Sequence, residues 1–137
     1  IPVTLLPATT ITVRLAGAPL VSPRNGEAYR EYELCMTVDA NACTLRDRYS
    51  KLKRALSPFA TSEIVWPRNA FSSLTDYVHS TSNVNRRGEF LRCFLERILN
   101  QNDGGALISD SRLHTALGVS EGMPMHDSLM RIASARR

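Results

Sequence analysis

Hydrophobic and polar residues alternate with a period of two through the N-terminal third of the chain. The alternation runs from Ile11 to Leu15 and again from Tyr32 to Val38, and the intervening cluster Ser22-Pro-Arg-Asn-Gly26 holds the residue types of a tight turn. A short turn after Val38 can lead into a third strand near Ala42 to Leu45. This part of the sequence therefore predicts an antiparallel sheet of three strands.

The pattern then changes to a helical period. Leu45, Tyr49, Leu52 and Leu56 recur at helical spacing, so we expect the third strand to turn into a helix with Arg48 near its start. The dipeptide Ser57-Pro58 interrupts or ends this helix, because proline disfavours helical geometry in the residue before it.

Two further helices are predicted in the C-terminal half. The first is strongly amphipathic, runs from Ser82 to Asn100 and is terminated by Asn102-Asp-Gly-Gly105. The second is short, has Ser109 or Asp110 as its cap and stops at Gly118. Because strands come first and helices follow, the predicted fold class is α+β, with a three-stranded antiparallel sheet followed by a helical subdomain.

The last segment of the chain, residues 120–137, allows two interpretations. It can form a short amphipathic helix that contacts a partner or a membrane, or it can be a frayed tail. The predicted domain accordingly covers residues 10–119, and residues 120–137 are set apart from it. Four apolar residues could share one face of such a helix: Met125, Leu129, Ile132 and Ala133.

Composition narrows the classes of function. The 137 residues suit one domain, and 43% hydrophobic with 22% charged residues is typical of a folded chain. The net charge of +4 favours an anionic partner, which can be nucleic acid, an anionic membrane surface or an acidic protein. Nucleic acid is disfavoured because the basic segment is short and lacks interleaved exposed aromatic residues beyond Tyr49.

Catalysis finds little support in the sequence. The three histidines and three cysteines show neither the spacing of a zinc site nor that of a nucleophile and its base. We therefore expect no enzyme, no metal and no cofactor. Reduced cysteines and the lack of a long apolar run favour a cytoplasmic setting.

The step Arg48-Tyr49-Ser50 is the strongest chemical signal, because it places a basic and an aromatic residue near the start of a helix. A guanidinium offers a planar fork of donors to phosphate oxygens, and a tyrosine ring offers a flat apolar wall to a sugar ring. Helix N-termini also favour anions. These residues predict a site for a phosphorylated ligand.

Together these features resemble the phox-homology (PX) domain, a phosphoinositide-binding module of the sorting-nexin type, over Thr10 to Val119. The resemblance is carried by Arg48-Tyr49-Ser50, by a proline-containing loop and by a helix with Arg87, Leu91 and Phe94 in the order Arg-x-x-x-Leu-x-x-aromatic. It implies membrane targeting, most simply through phosphatidylinositol 3-phosphate on endosomal membranes. The alternative is a degenerate PX domain that acts as a protein-protein interaction scaffold with weak or no lipid binding.

The resemblance also implies roles for individual residues. Arg48 would hold the 3-phosphate, Tyr49 would pack against the inositol ring with Ser50 beside it, and Arg87 would bond ring hydroxyls. The residues also allow plainer interpretations: Arg48 as a surface ion pair with Asp47 or another carboxylate, Tyr49 as core, Ser50 as support for the helix start alone, and Arg87 as a solvated helix residue.

The proline loop departs from the family pattern. The family's lysine falls at Asn69, which carries no charge, and Arg68 beside it is the substitute candidate for headgroup binding. Loss of one charge-assisted hydrogen bond of about 1.5–3 kcal/mol would weaken binding by roughly ten- to a hundredfold. The loop would also dip into the bilayer, unless its aromatic residues fill the core instead. The residues predicted to insert are Ile64, Val65, Trp66 and Phe71.

Overall fold

A computed structural model describes residues 10–66 and 81–137, and within them the chain folds as the predicted α+β class. The sheet is antiparallel and has β3 at its centre, paired with β1, β2 and β4. The strands are β1 (Thr12–Gly17), β2 (Leu20–Val21), β3 (Tyr29–Val38) and β4 (Asn41–Arg48). The helices are α1 (Tyr49–Leu56), α2 (Thr81–Leu99), α3 (Ser111–Ala116) and α4 (Pro124–Arg136), and a 3-10 turn (Ser57–Phe59) follows α1.

The helix α1 begins where the sequence predicts, next to Arg48, but the strand before it is longer than predicted. Leu45 pairs with Leu34 across the sheet, and pairing continues as far as Arg48, three residues beyond the predicted end of the strand at Leu45. Leu45 therefore belongs to the strand and not to the apolar face of the helix, because its spacing to Tyr49 also fits an alternating strand that runs directly into a helix. This junction places Arg48 at the N-cap of α1.

Strand β2 is an addition to the three strands expected. It has two residues, pairs with Arg30 and Tyr29 of β3, and follows a register irregularity between Leu15 and Gly17 in β1. Two residues are too few to show an alternating pattern, so this strand could not be predicted from periodicity.

One face of the sheet packs on the helices to form the core. Alternate residues of β3 point into it, as the pattern predicted, and the apolar faces of α1, α2 and α4 cover them. The largest fully buried side chains include Tyr32, Leu34, Met36, Leu52, Leu56, Leu91, Leu95, Ile98 and Leu99.

Side chains of α2 and its C-terminal end complete the backbone hydrogen bonds of β1. Glu96 Oε2 accepts from the Val13 N–H at 2.9 Å. Asn100 Oδ1 accepts from the Ile11 N–H at 2.8 Å, and its Nδ2 donates to the Ile11 carbonyl at 2.7 Å. These contacts satisfy backbone groups that an uncovered strand edge would leave exposed, and they fix α2 against the sheet.

The two C-terminal helices are present, and one of them corrects an expectation. Helix α3 has Asp110 as its N-cap, as predicted, and the chain leaves it through Gly118 at a φ of 70°. Helix α4 contains the predicted apolar face, but that face is buried in the common core: Met125 is 3% exposed, and Leu129, Ile132 and Ala133 are 0% exposed. The face is therefore neither a frayed tail nor a surface for a partner or membrane.

Candidate functional site

A pocket of about 210 Å³ lies where the first residues of β3, the β4–α1 junction and α2 meet. We call it the arginine pocket, because three arginines from three different elements line it. No acidic residue occurs among its described lining residues, so the wall carries an excess of positive charge. It is lined by Tyr29, Arg30, Tyr32, Arg48, Tyr49, Ser50 and Arg87.

Arg48 occupies the junction of strand and helix. Its guanidinium carbon lies 4.4 Å from the centroid of the Tyr29 ring, in the geometry of a cation–π contact. The Asp47 carboxylate accepts from the Arg48 backbone N–H at 2.8 Å. No carboxylate within residues 10–66 and 81–137 forms an ion pair with the Arg48 side chain, so the interpretation as a surface pair with Asp47 is wrong.

The neighbouring carboxylate on the sheet is engaged by another arginine. Glu31 lies opposite Arg48 in the β3–β4 register, but its Oε1 accepts from Arg46 Nε at 3.0 Å. Arg46 also contacts Glu33 at 3.0 Å. Both outer-face carboxylates are thus paired with Arg46 and neither forms an ion pair with Arg48, which leaves the Arg48 guanidinium available to a ligand.

Tyr49 begins α1 and is held from two sides. Its hydroxyl accepts a hydrogen bond from Trp66 Nε1 at 3.1 Å, and the Arg87 guanidinium carbon lies 4.9 Å from its ring centroid. Burial raises the pKa of the Tyr49 phenol, and the Trp66 hydrogen bond and the Arg87 charge counteract part of that rise. The half-buried ring therefore combines a packing role with a place in the pocket wall.

The start of α1 contributes to the site as well. Ser50 is exposed at the pocket. The helix has no acidic residue in its first turn and no side-chain cap bond. The positive end of the helix dipole consequently adds to the field of the arginines.

Arg87 reaches the pocket from α2. It is half-buried, in contact with the Tyr49 ring, and close enough to Tyr32 for its charge to act on that phenol. The interpretation as a solvated helix residue is therefore wrong. Gly88 allows this part of α2 to approach β1, because an added Cβ would lie 2.5 Å from Leu15 Cδ2.

The sequence prediction missed Arg30, Tyr29 and Tyr32 as pocket residues. A usable signal existed, because Arg30 has the same parity along β3 as the buried residues Tyr32 and Leu34. An arginine on the inward face of a strand needs a partner or a functional reason. Extending the alternation of inward residues from Tyr32 toward the start of β3 would have identified Arg30.

The residues predicted to insert into the membrane differ in their exposure to solvent. Ile64 is 6% exposed and belongs to the core, whereas Val65 is 59% exposed. Trp66 is half-buried, with its ring centroid 4.6 Å from that of Phe94. Insertion is therefore wrong for Ile64, whose side chain is covered by protein. The packing of Trp66 on Phe94 argues against insertion of its ring, while the exposed Val65 can still contact lipid. Phe71, Arg68 and Asn69 lie outside the described residues.

Neither a metal-binding cluster nor a membrane-spanning helix is found in the part of the chain that the structure describes. In the two described segments, no group of three or more His, Cys, Asp or Glu side chains is placed to hold a metal ion. None of the helices described is both long and apolar enough to cross a bilayer.

Comparison with known proteins does not assign this chain to a family. No family model matches it, and no curated protein matches it. The function is consequently inferred from the arginine pocket itself.

Proposed function

We propose that the chain binds phosphoinositide headgroups in the arginine pocket and so recruits its protein to endosomal membranes, with phosphatidylinositol 3-phosphate as the simplest ligand. One observation carries the proposal. Arg48, Tyr49 and Arg87 line one small pocket with no acidic residue among its described walls, although Arg48 and Arg87 lie 39 positions apart in the sequence. The PX resemblance noted in the sequence assigns this combination to a phosphorylated inositol ring.

Electrostatics favours an anion over a neutral sugar. Positive side chains gathered around one cavity repel one another, and an entering phosphate reverses that unfavourable field. A guanidinium can form two parallel hydrogen bonds with phosphate oxygens, which makes arginine better suited than lysine to fix the orientation of the group.

The position of each residue suggests its task. Arg48, at the helix start, holds the 3-phosphate together with backbone N–H groups of α1 and the Ser50 hydroxyl. The Tyr49 ring forms a wall for the inositol ring, and Arg87 donates to ring hydroxyls. The field of the α1 N-terminus assists Arg48, because the helix dipole is strongest within the first turn.

Additional membrane contact comes from the exposed face of α1 and from Val65. Lys51, Lys53 and Arg54 are all exposed on this helix. Each basic residue near an anionic leaflet contributes about 1 kcal/mol to binding, without contacting a particular headgroup. The pocket would therefore provide selectivity, while the helix surface adds affinity that depends on salt.

The experiment is vesicle binding with each phosphoinositide in turn, comparing the unmodified chain with Arg48→Ala. We expect preference for phosphatidylinositol 3-phosphate and a loss of about ten- to a hundredfold in Arg48→Ala, the equivalent of one charge-assisted contact. Arg54→Ala is the matched control, because Arg54 is exposed on the same helix and does not line the pocket. It should lower binding to all anionic vesicles to a similar small extent.

One outcome of this experiment would reject the proposed function. Binding that ignores the headgroup and responds equally to both substitutions, in proteins with unchanged circular dichroism, would reject the lipid-recognition proposal. The domain would then be studied as a protein-interaction scaffold.

A further inference from the structure

Arg30 is the third arginine of the arginine pocket, and the roles proposed above for Arg48 and Arg87 do not involve it. It lies in β3, next to Tyr29, which holds Arg48 by its ring face, and two residues before Tyr32. Its side chain has the inward parity of the strand and lines the pocket. Arg30 is therefore part of the binding surface as well as of the sheet.

The hydrogen bonds of Arg30 leave donor capacity unused. Nη1 donates to the Ala18 carbonyl at 3.0 Å. Nε is buried and has no hydrogen-bond partner among the residues that the structure describes. Buried donors in folded proteins are nearly always paired, and an exception calls for an explanation such as a ligand or ion. A small rotation of the guanidinium toward an anion in the pocket would provide Nε with an acceptor.

The charge environment supports the same conclusion. Arg30 has no ion pair with any carboxylate in residues 10–66 or 81–137. Burial raises the pKa of the Tyr32 phenol, and the charges of Arg87 and Arg30 both act to lower it, which places the two guanidinium groups around the same ring. Holding a third positive charge here without a counter-charge is unfavourable unless an anion enters.

We propose that Arg30 forms a subsite for a second phosphate on the inositol ring, so that the arginine pocket prefers a ring with two phosphomonoesters, one at Arg48 and one at Arg30, to a ring with one. This inference rests on the proposed function, because it assigns a finer specificity to the same pocket. Arg87 is left to the ring hydroxyls, and each phosphate has its own guanidinium. The shared ligand chemistry is a multiply phosphorylated inositol ring, whether it is part of a lipid or free in solution.

The test measures dissociation constants by calorimetry for short-chain phosphatidylinositol 3-phosphate and for its 3,4- and 3,5-bisphosphate counterparts. We expect at least one bisphosphate to bind ten times or more tighter than the monophosphate. In Arg30→Gln this advantage should fall below threefold, while affinity for the monophosphate changes by less than threefold. Arg30→Lys, which keeps the charge but loses the fork, should retain part of the advantage.

Arg14→Gln is the control for a general loss of positive charge. Arg14 is an exposed arginine on β1 that does not line the pocket, so the variant should keep the full bisphosphate advantage. Repeating the titrations with free inositol phosphates, and with vesicles that contain the lipids, separates the two sources. Tighter binding in the vesicle arm identifies the lipid, and equal binding in both arms identifies the ring alone.

The outcomes separate the two proposals. Binding of the monophosphate with no advantage for either bisphosphate would overturn the Arg30 subsite and leave the proposed function standing. A bisphosphate advantage that survives in Arg30→Gln would also overturn the Arg30 subsite. An equal loss of affinity for all ligands in that variant would overturn it too, because it would show that Arg30 has a purely structural role through its bond to Ala18. Failure of every ligand to bind would overturn both proposals.

Discussion

Trp66 donates a hydrogen bond from its indole Nε1 to the hydroxyl of Tyr49 at 3.1 Å, which ties the segment before residue 67 to the wall of the arginine pocket. The contact belongs to a chain of rings. Tyr49 meets Tyr32 with centroids 6.2 Å apart, and Trp66 meets Phe94 at 4.6 Å. Such offset or edge-to-face contacts add to the burial of apolar surface. The pocket wall is therefore stabilised by α1, β3, α2 and the segment after α1.

The hydrogen bond between these residues should be measurable as stability. Tyr49→Phe removes the acceptor and leaves the partly buried Trp66 N–H without its partner, so we expect the free energy of unfolding to fall by about 1 kcal/mol. Urea unfolding should show a lower midpoint with an unchanged slope. Tyr29→Phe is the control, because the Tyr29 hydroxyl has no hydrogen bond within the described segments. An equal effect of both changes would contradict the assignment.

Trp66 should be shielded from lipid. It is the single tryptophan of the chain, so its fluorescence can be followed directly on vesicles whose acyl chains carry bromine, a quencher. We expect little quenching, because the indole packs on Phe94 and Tyr49. A tryptophan moved to the neighbouring position by Val65→Trp in a Trp66→Phe background should be quenched strongly. Strong quenching of the native tryptophan would reinstate the inserting role that its packing argues against.

Asn100 should be one of the most sensitive polar positions. Its amide pairs with both backbone groups of Ile11 and also accepts from Arg136 Nη2 at 3.0 Å. Asn100→Ala would leave several partly buried groups unpaired, and we expect a loss of about 2–4 kcal/mol. Asn102→Ala, at an exposed position, should change stability by less than about 0.5 kcal/mol. Amide exchange at Ile11 should accelerate only in the first variant.

Gly105 allows the segment after α2 to approach the backbone of α4. Its φ is +81°, and an added Cβ would lie 2.5 Å from the Ala133 carbonyl oxygen and 2.7 Å from its Cα. Because backbone cannot move aside cheaply, we expect Gly105→Ala to destabilise the fold by about 2–4 kcal/mol. Thermal unfolding of this variant should be compared with that of a second glycine variant.

Gly118 provides that comparison. Its φ is +70°, similar to that of Gly105, but apart from its chain neighbours no heavy atom of the described residues lies within 4 Å of an added Cβ. Gly118→Ala therefore reports only the cost of the left-handed backbone, about 1 kcal/mol. If the two variants have the same unfolding temperature, close approach to α4 contributes nothing and strain alone explains the requirement for glycine.

Alkaline pH should weaken the fold through the pocket tyrosines. Burial raises the pKa of both Tyr32 and Tyr49 above the usual value of about 10. In the unfolded chain these phenols ionise near pH 10, while in the folded chain they keep their protons, so their contribution is present below pH 10 and is lost as pH rises beyond it. Urea unfolding at stepwise pH should show this decline, and Tyr49→Phe should reduce its slope. A slope unchanged by the substitution would assign the decline to other groups.

Much of the fold could be predicted because its elements have distinct periods. The inward residues of β3 and the apolar face of α2 were readable from spacing alone. The end of β4 was not, because strand and helix spacing coincide over the junction between Leu45 and Tyr49. The location of α4 also required the structure, since an amphipathic pattern shows that a face is apolar but not what covers it.

Some residues of the candidate site could be predicted from the sequence and others could not. Arg48, Tyr49 and Ser50 were found because they are consecutive, and Arg87 because the PX resemblance supplied its motif. Arg30 shares no motif with them and is brought to the pocket by the sheet, so only its parity along β3 could indicate it. The contacts of Trp66 depend on side-chain directions, which the sequence does not specify in an irregular segment.

The buried face of α4 has a consequence for the synthesis of the protein. Arg136 donates to the Leu99 carbonyl at 2.6 Å, so one of the last residues described caps the end of α2. During translation, the sheet, α1 and α2 leave the ribosome with the apolar surface that α4 will cover still open to solvent. Such surface attracts chaperones and promotes aggregation. The core that supports the pocket is complete only after residues up to Arg136 have emerged, so synthesis of the segment Arg48-Tyr49-Ser50 does not by itself complete the fold around it.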